Sequence, residues 1–309
     1  MAAPGAGPLL DSATLRQLEQ LRLTQIDAII AGFTGSHVGP RSAYGTEFAD
    51  YRPYNPGDEL RRIDWGVYAR LREAFVKVGP GEARTGLATL IDTSASMDWP
   101  NEPAGGRASR RPTKLRHAQE LAAMLAAVAL LAADSARIAS LADGAAVVGA
   151  ELGGAALLAE ALAALEAQTV GRHTQLAAAV RAHRLAAPPA DVVVLLTDAL
   201  VPDGDLDDAL DELRRAGRAT TLVHVTDPDE RRPPAEGPVE LVDRETGERR
   251  VVNRTADAVA AHVARFDART EALRERCRAR DIAYVGAPTD VPALDIVFER
   301  AREAGVVGA

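Results

Sequence analysis

The sequence predicts an α/β protein, a mostly parallel, doubly wound sheet with helices on both faces, preceded by a small accessory module. Three observations predict it. From residue 87 onward, short apolar runs alternate with helix-length stretches, the order expected of a parallel sheet wrapped by helices. The runs are continuous rather than alternating, as strands buried on both faces are. Two of them, Leu87–Ile91 and Val192–Leu196, run into Asp92 and Asp198 within two residues. An apolar strand that ends in a carboxylate places that carboxylate at the sheet edge where such folds bind ligands.

Composition sets the limits. A chain of 309 residues can form one large α/β domain with additions, or two domains. Hydrophobic residues make up 47% and aromatics only 4%, so the core is built from aliphatics. The net charge is -8, whereas a general nucleic-acid binder is usually basic over at least one domain. A single cysteine, Cys277, excludes a disulfide framework and a cysteine metal cluster; it falls in a predicted helix as an ordinary helix residue. Met1–Pro8 lacks the basic start and apolar run of a signal peptide. The longest apolar run, Leu121–Ala133, is too short and Ala-rich to span a bilayer. The expectation is a soluble, cytoplasmic protein with no membrane insertion.

Taken in order, Asp11–Ala31 has helical spacing of Leu15, Leu18, Leu21 and Leu23, as one helix or two short ones, with Asp11 or Ser12 as cap and Gly32 as stop. Residues 33–84 hold most of the aromatics and mix basic with acidic side chains around the turn Pro56-Gly57-Asp58. They read as short strands and turns, a module of residues 1–84 ahead of a main domain at 85–309. Its near-neutral balance fits internal ion pairs in a loop-rich segment equally with a protein-facing surface. A strand at Leu87–Ile91 is followed by a Pro/Gly/Arg-rich loop, Asp98–Pro112, and then by a helix capped at Thr113. There Leu121, Met124, Leu125 and Val128 fall at i, i+3, i+4 and i+7 with Ala around the rest, the mark of a buried helix.

Beyond it, Ala136–Val148 reads as two strands broken at Asp143-Gly144, and Ala155–Leu165 and Thr174–Leu185 as helices. Val192–Leu196 is a strand, Leu206–Ala216 a helix and Thr220–Val225 a strand. Residues 238–253 read as a hairpin turning at Glu245-Thr-Gly247. Ala256–Arg278 is a charged helix, Ile282–Val285 a strand and Val291–Ala304 a closing helix.

The chemistry concentrates at Asp92-Thr-Ser94-Ala-Ser96. A carboxylate and two hydroxyls leaving a strand end are hard oxygen donors, suited to a small hard cation such as Mg²⁺ or Mn²⁺. The same residues would also make an ordinary polar turn. If the strands of Asp92 and Asp198 are neighbours, the candidate metal ligands are Asp92, Ser94, Ser96, Thr174 and Asp198. His173, beside Thr174, is read as a surface histidine, because such a cation prefers oxygen.

Asp-x-Ser-x-Ser after one strand, then Thr174, then Asp198 after another, resembles the metal-ion-dependent adhesion site of the von Willebrand factor A fold. More specifically, the chain resembles the bacterial domain-of-unknown-function family 58. The upstream residues that carry this are Tyr44-Gly-Thr-Glu-Phe48, Tyr51-Arg-Pro-Tyr54, Asn55-Pro-Gly-Asp-Glu-Leu-Arg-Arg-Ile-Asp-Trp65 and Ala69-Arg70, with Leu241-Val-Asp-Arg-Glu-Thr-Gly-Glu248 in the later hairpin. The resemblance covers roughly residues 15 to 300. It implies a noncatalytic, metal-dependent protein-interaction module partnered with a MoxR-type AAA+ ATPase, or with its client, in chaperone-like assembly. Val78-Gly-Pro-Gly81 departs from a usually more acidic stretch, leaving Glu82 as the matching residue. The Asp98–Pro112 loop is long for the family, and two N-terminal membrane helices common in members have no counterpart here.

Two other functions compete. A Mg²⁺-dependent phosphohydrolase would use Asp92 as nucleophile, but Ser94 stands where one common phosphatase type has a second carboxylate. A nucleic-acid binder would work through the Arg–aromatic module, against the acidic total charge. No Gly-x-Ser-x-Gly elbow, Walker loop or dinucleotide fingerprint is present.

Overall fold

The computed structural model describes residues 8–23, 50–54, 63, 65–71, 74–78, 85–100, 111–172, 175–233, 237–242 and 248–308. The central sheet is built from β4 (Gly86–Asp92), β5 (Ser135–Ala142), β6 (Ala145–Val148), β7 (Leu152–Gly153), β8 (Ala190–Thr197), β9 (Gly217–Thr226) and β12 (Ala283–Pro288). Its order is β12-β9-β8-β4-β5-β6, with β7 also on β5. The five long strands β12, β9, β8, β4 and β5 are parallel, and β6 and β7 are antiparallel. This is the predicted doubly wound sheet.

Each strand forms for a local reason. β8 is a nearly continuous run of Val and Leu and β4 a run of Leu, Ile and small residues, both buried on both faces. The β5–β6 hairpin turns at Asp143 and Gly144, with φ of 51° and 73°. Two left-handed residues in a two-residue loop match the twist of the flanking strands, and Asp-Gly tolerates them at low cost.

The sheet is covered on both sides. One face carries α3 (Lys114–Leu131) and α4 (Leu158–Glu166), with Leu87, Ile91, Val192, Val194 and Leu196 beneath them. The other carries α5 (Leu176–Ala186), α6 (Asp203–Ala216) and the C-terminal part of α8 (Ala256–Arg278), over Ala88, Leu90, Val193 and Leu195. The Thr113 hydroxyl caps α3 by accepting from Arg116 N. Almost the whole of α3 is buried, as its Ala-rich sequence predicts. Burying Leu121, Leu125 and Val128 stabilises the fold by roughly 1.5–3 kcal/mol each. Cys277 on α8 is buried in the second core, and burial pushes its thiol up to about 12, as befits an inert packing residue.

Two expectations are corrected and a third is refined. The first helix, α1, runs only from Ser12 to Leu18, capped by Asp11, whose side chain accepts from Thr14 N. Arg22–Leu23 (β1) instead pairs antiparallel with Val307–Gly308 (β13). Leu23 thereby joins the first core beside Val307, a long-range contact with no local signal. In the accessory module, Asp50–Pro53 (β2) and Phe75–Val78 (β3) do pair antiparallel, but a helix, α2 (Trp65–Leu71), lies between them. The closing helix forms as expected, opening with an α-turn at Ala293–Asp295 (α9) and winding as a π-helix over Ile296–Ala301.

The later hairpin is Gly237–Val242 (β10) with Arg249–Arg254 (β11). Its turn, and most of the residues carrying the upstream resemblance, lie outside the described residues.

Candidate functional site

The site lies where strand order reverses. From β4 the chain crosses to β5 on one side, then returns to β8 on the other. The switch point therefore falls between β4 and β8, beyond their carboxyl ends, the crevice where open α/β sheets bind ligands. Asp92 and Asp198 flank it.

Asp92 is 1% exposed. Its Oδ1 accepts from Ser94 N at 2.9 Å and its Oδ2 from the Thr197 hydroxyl at 2.7 Å. Burial, and then the negative charge of Asp198, push its carboxyl up to about 6, against the opposing hydrogen bonds from Thr197 and Ser94. Ser94 precedes a 3₁₀ turn, Ala95–Met97, anchored by the fully buried Met97. The turn brings the Ser94 and Ser96 hydroxyls to 3.0 Å of each other. Ser96 also hydrogen-bonds Asp198, so Asp92, Ser94, Ser96 and Asp198 form one chain of oxygen atoms.

The segment before α5 is tied to this turn. Gly171 N donates to Thr93 O at 2.6 Å, and Ala95 N to Arg172 O at 3.4 Å. His173 and Thr174, which follow, lie outside the described residues. Of the five predicted ligands, four come together.

Asp198 also has a partner that the sequence reading missed. The Lys114 ammonium, at the start of α3 and fully buried, donates to Asp198 Oδ2 at 2.7 Å and also to Glu230. Burial alone would raise the Asp198 carboxyl, but Lys114, with Ser96 and Leu200 N, holds it below its usual range. Burial would likewise lower Lys114, and Asp198 and Glu230 more than offset it. At Glu230 burial is the larger effect and its acid is pushed up despite Lys114. Glu230 belongs to α7 (Pro228–Arg231), where it completes a capping box with Asp227. Asp227, at the end of β9, pairs with Arg111 and accepts from the Thr289 hydroxyl at 2.6 Å. Asp92, Asp198 and Asp227 thus end three adjacent strands, and residues 111–114 supply cations to the last two.

The signals were present in part. Thr-Asp recurs at 197–198 and 226–227. Lys77 and Lys114 are also the only lysines in a chain with 36 Lys and Arg.

Asp198 is further fixed through its backbone. Its carbonyl meets His224 Nε2 at 3.2 Å, and His224 Nδ1 meets the Tyr284 hydroxyl at 2.9 Å. A carbonyl only accepts, so Nε2 carries the proton and Nδ1 accepts from Tyr284. Burial pushes His224 down to about 4, keeping it neutral. The next residue, Ala199, has a φ of 53°, a left-handed conformation costing roughly 1–2 kcal/mol outside glycine. Its N–H donates to the Thr197 hydroxyl and its carbonyl accepts from Arg269, which hold it there. A cavity of about 370 Å³ opens beside Asp198, lined by His224, Leu200, Phe266 and Arg269 among others.

Among the described residues no three His, Cys, Asp or Glu side chains are grouped to hold a metal, so an ion here depends on hydroxyls. Asp92, Ser94 and Ser96 fit that requirement. They are hard oxygen donors in contact, and the buried Asp92 carboxyl is held up by a neighbouring negative charge that a cation would offset.

Comparison with known proteins places the chain. It is 36% identical over 90 residues to the uncharacterized protein Rv1480 of Mycobacterium tuberculosis (strain ATCC 25618 / H37Rv), a match spanning 28% of this chain and 27% of that protein. Solved structures with a related outline include the conserved hypothetical protein BatB of Bacteroides thetaiotaomicron, with a TM-score of 0.42 and 14% identity over 71% of this chain and 98% of that one. Another is an aerotolerance-related membrane protein of Bacteroides fragilis NCTC 9343, with a TM-score of 0.44 and 16% identity over 71% of this chain and 99% of that one.

The cytoplasmic expectation is corrected to no stated location, one of these similar chains being described as a membrane protein. Among the described residues no helix is long and apolar enough to cross a membrane, and that alone does not locate the protein. The family model described as "Protein of unknown function DUF58" matches residues 50–275, and the chain belongs to that family.

Proposed function

We propose that this protein is a noncatalytic, metal-dependent protein-interaction module whose partner is a MoxR-type AAA+ ATPase or that ATPase's client. The observation that carries this reading is the convergence of Asp92, Ser94, Ser96 and Asp198 at the switch point. Asp92, Ser94 and Ser96 would hold a Mg²⁺ or Mn²⁺ ion, with Thr174 as the further ligand expected from the sequence. A bound ion would supply an open coordination position for an acidic side chain of the partner. Asp198 acts behind these donors, orienting the Ser96 hydroxyl while its other contacts go to Lys114 and Leu200 N.

The surroundings suit a protein partner. Trp99, Leu200 and Val170 are 37%, 46% and 37% exposed. Each belongs to a segment tied to the site: Trp99 O accepts from Lys114 N, Leu200 N donates to Asp198, and Val170 precedes Gly171. Large apolar side chains exposed around a polar centre are a common form of interaction surface. A nucleophilic role for Asp92 is less well supported, because both carboxylate oxygens accept internal hydrogen bonds.

The test is binding of a MoxR-type ATPase, measured by calorimetry with Mn²⁺ and with EDTA, for wild type and Asp92→Ala. Binding lost in EDTA and in the variant is expected. Equal binding in all cases would overturn the proposal.

A further inference from the structure

Lys114 is a fully buried side chain in a chain that uses arginine for almost every other cation. Burying an ammonium is costly unless it is paired and hydrogen-bonded. Its position is fixed along the backbone, where Lys114 N donates to Trp99 O at 2.7 Å and Thr113 caps the helix. Its Nζ then reaches two carboxylates from separate elements, Asp198 after β8 and Glu230 on α7. A compact ammonium with three donors suits such a gap, whereas a planar guanidinium demands more room and a fork geometry.

We propose that Asp198 and Glu230 form a second cation subsite, which Lys114 fills as a tethered cation. The edge then accepts one divalent ion, at Asp92, Ser94 and Ser96, and not two. This deepens the proposed reading of the same edge and rests on it for the role of Asp92. The chemistry is that of hard oxygen donors. Without Lys114, two carboxylates would face the space left by its side chain, and Mg²⁺ or Mn²⁺ is bound through one or two carboxylates with waters completing the shell. Lys114 thereby sets how many divalent ions the edge holds, and it ties α7 to the end of β8.

The experiment works in an Asp92→Ala background, so that failure of the first site leaves it readable. Thermal unfolding is followed with Mn²⁺ and with EDTA. Asp92→Ala alone is expected to show no Mn²⁺-dependent shift. Asp92→Ala/Lys114→Ala is expected to unfold at lower temperature in EDTA and to gain about 5–10 °C with saturating Mn²⁺. Adding Glu230→Gln should abolish that gain. Should the double variant fail to fold in EDTA, recovery of its helical circular dichroism in Mn²⁺ is the equivalent result. A double variant with no gain from Mn²⁺, or unfolded with and without it, would overturn the proposal, as would a gain that survives Glu230→Gln. Absence of a Mn²⁺ effect in wild type would count only against the proposed site at Asp92.

Discussion

The Thr197 hydroxyl donates to Oδ2 of Asp92 at 2.7 Å, joining the ends of two neighbouring parallel strands. The bond spans the switch point and lowers the Asp92 carboxyl against the burial that raises it. Thr197→Val keeps the shape and removes the donor. We expect a loss of about 1–3 kcal/mol in urea unfolding, because a buried carboxylate is left short of a partner. The Asp92 carboxyl should titrate above its present value of about 6, which carbon-detected NMR would read directly. Unchanged stability and titration would show that the bond contributes nothing.

Gly171 governs the approach of the segment that leads to Thr174. A Cβ there would lie 2.7 Å from Ala142 Cβ, closer than side chains pack. Gly171→Ala must push the segment off Thr93, to which Gly171 N donates. A destabilisation of about 1–3 kcal/mol is expected from overpacking, together with weaker Mn²⁺ binding, both measurable by unfolding with and without the ion. Intact Mn²⁺ affinity would separate this segment from the site.

How far the site was legible follows from what each residue needed. Asp92, Ser94 and Ser96 sit in one short turn, so local sequence was enough. Asp198 required that β8 neighbour β4, a condition the alternating pattern leaves open and the strand order meets. Lys114 was missed because a charged residue at a helix start usually faces solvent. Only the packing of α3 across the end of β8 buries it. Glu230 was hidden in a short helix that exists through its capping box. The main sheet and the helices around it were readable because period and burial agree there. The failures at Leu23 and at α2 have other causes. Leu23 pairs with a strand at the far end of the chain, and Trp65-Gly-Val-Tyr68 is a poor helix sequence by propensity.

Acid should destabilise the fold through its buried histidines. Burial pushes His117, His183 and His224 down to about 4 from 6.5. Their stabilisation is full above pH 6.5 and is lost as pH falls toward 4, because the unfolded chain takes up protons first. Each accounts for up to roughly 3 kcal/mol over that window. Asp92 works in the opposite sense. Its folded value of about 6 lies above 3.8, so it costs stability as pH rises between the two, by roughly 3 kcal/mol. We therefore expect unfolding free energy to drop between pH 6.5 and 4, less steeply in His117→Gln and more steeply in Asp92→Asn. A pH-independent wild type would contradict this.

The apolar rim should matter for the partner and not for the ion. Trp99→Ala and Leu200→Ala each remove a large exposed side chain beside the site. Truncation of a central interface anchor typically costs about 2 kcal/mol or more in binding. We expect weaker binding of a MoxR-type ATPase with an unchanged Mn²⁺-dependent shift in unfolding. Loss of the Mn²⁺ shift would assign these residues to the metal site instead.

The account stands most directly on whether Asp92 holds a divalent ion. The measurement is thermal unfolding of wild type and Asp92→Ala, each with Mg²⁺ or Mn²⁺ and with EDTA. An ion at about 100 times its dissociation constant, bound only by the folded chain, should stabilise wild type by roughly 2.7 kcal/mol and leave Asp92→Ala unmoved. Identical unfolding of wild type with the ion and with EDTA would contradict it.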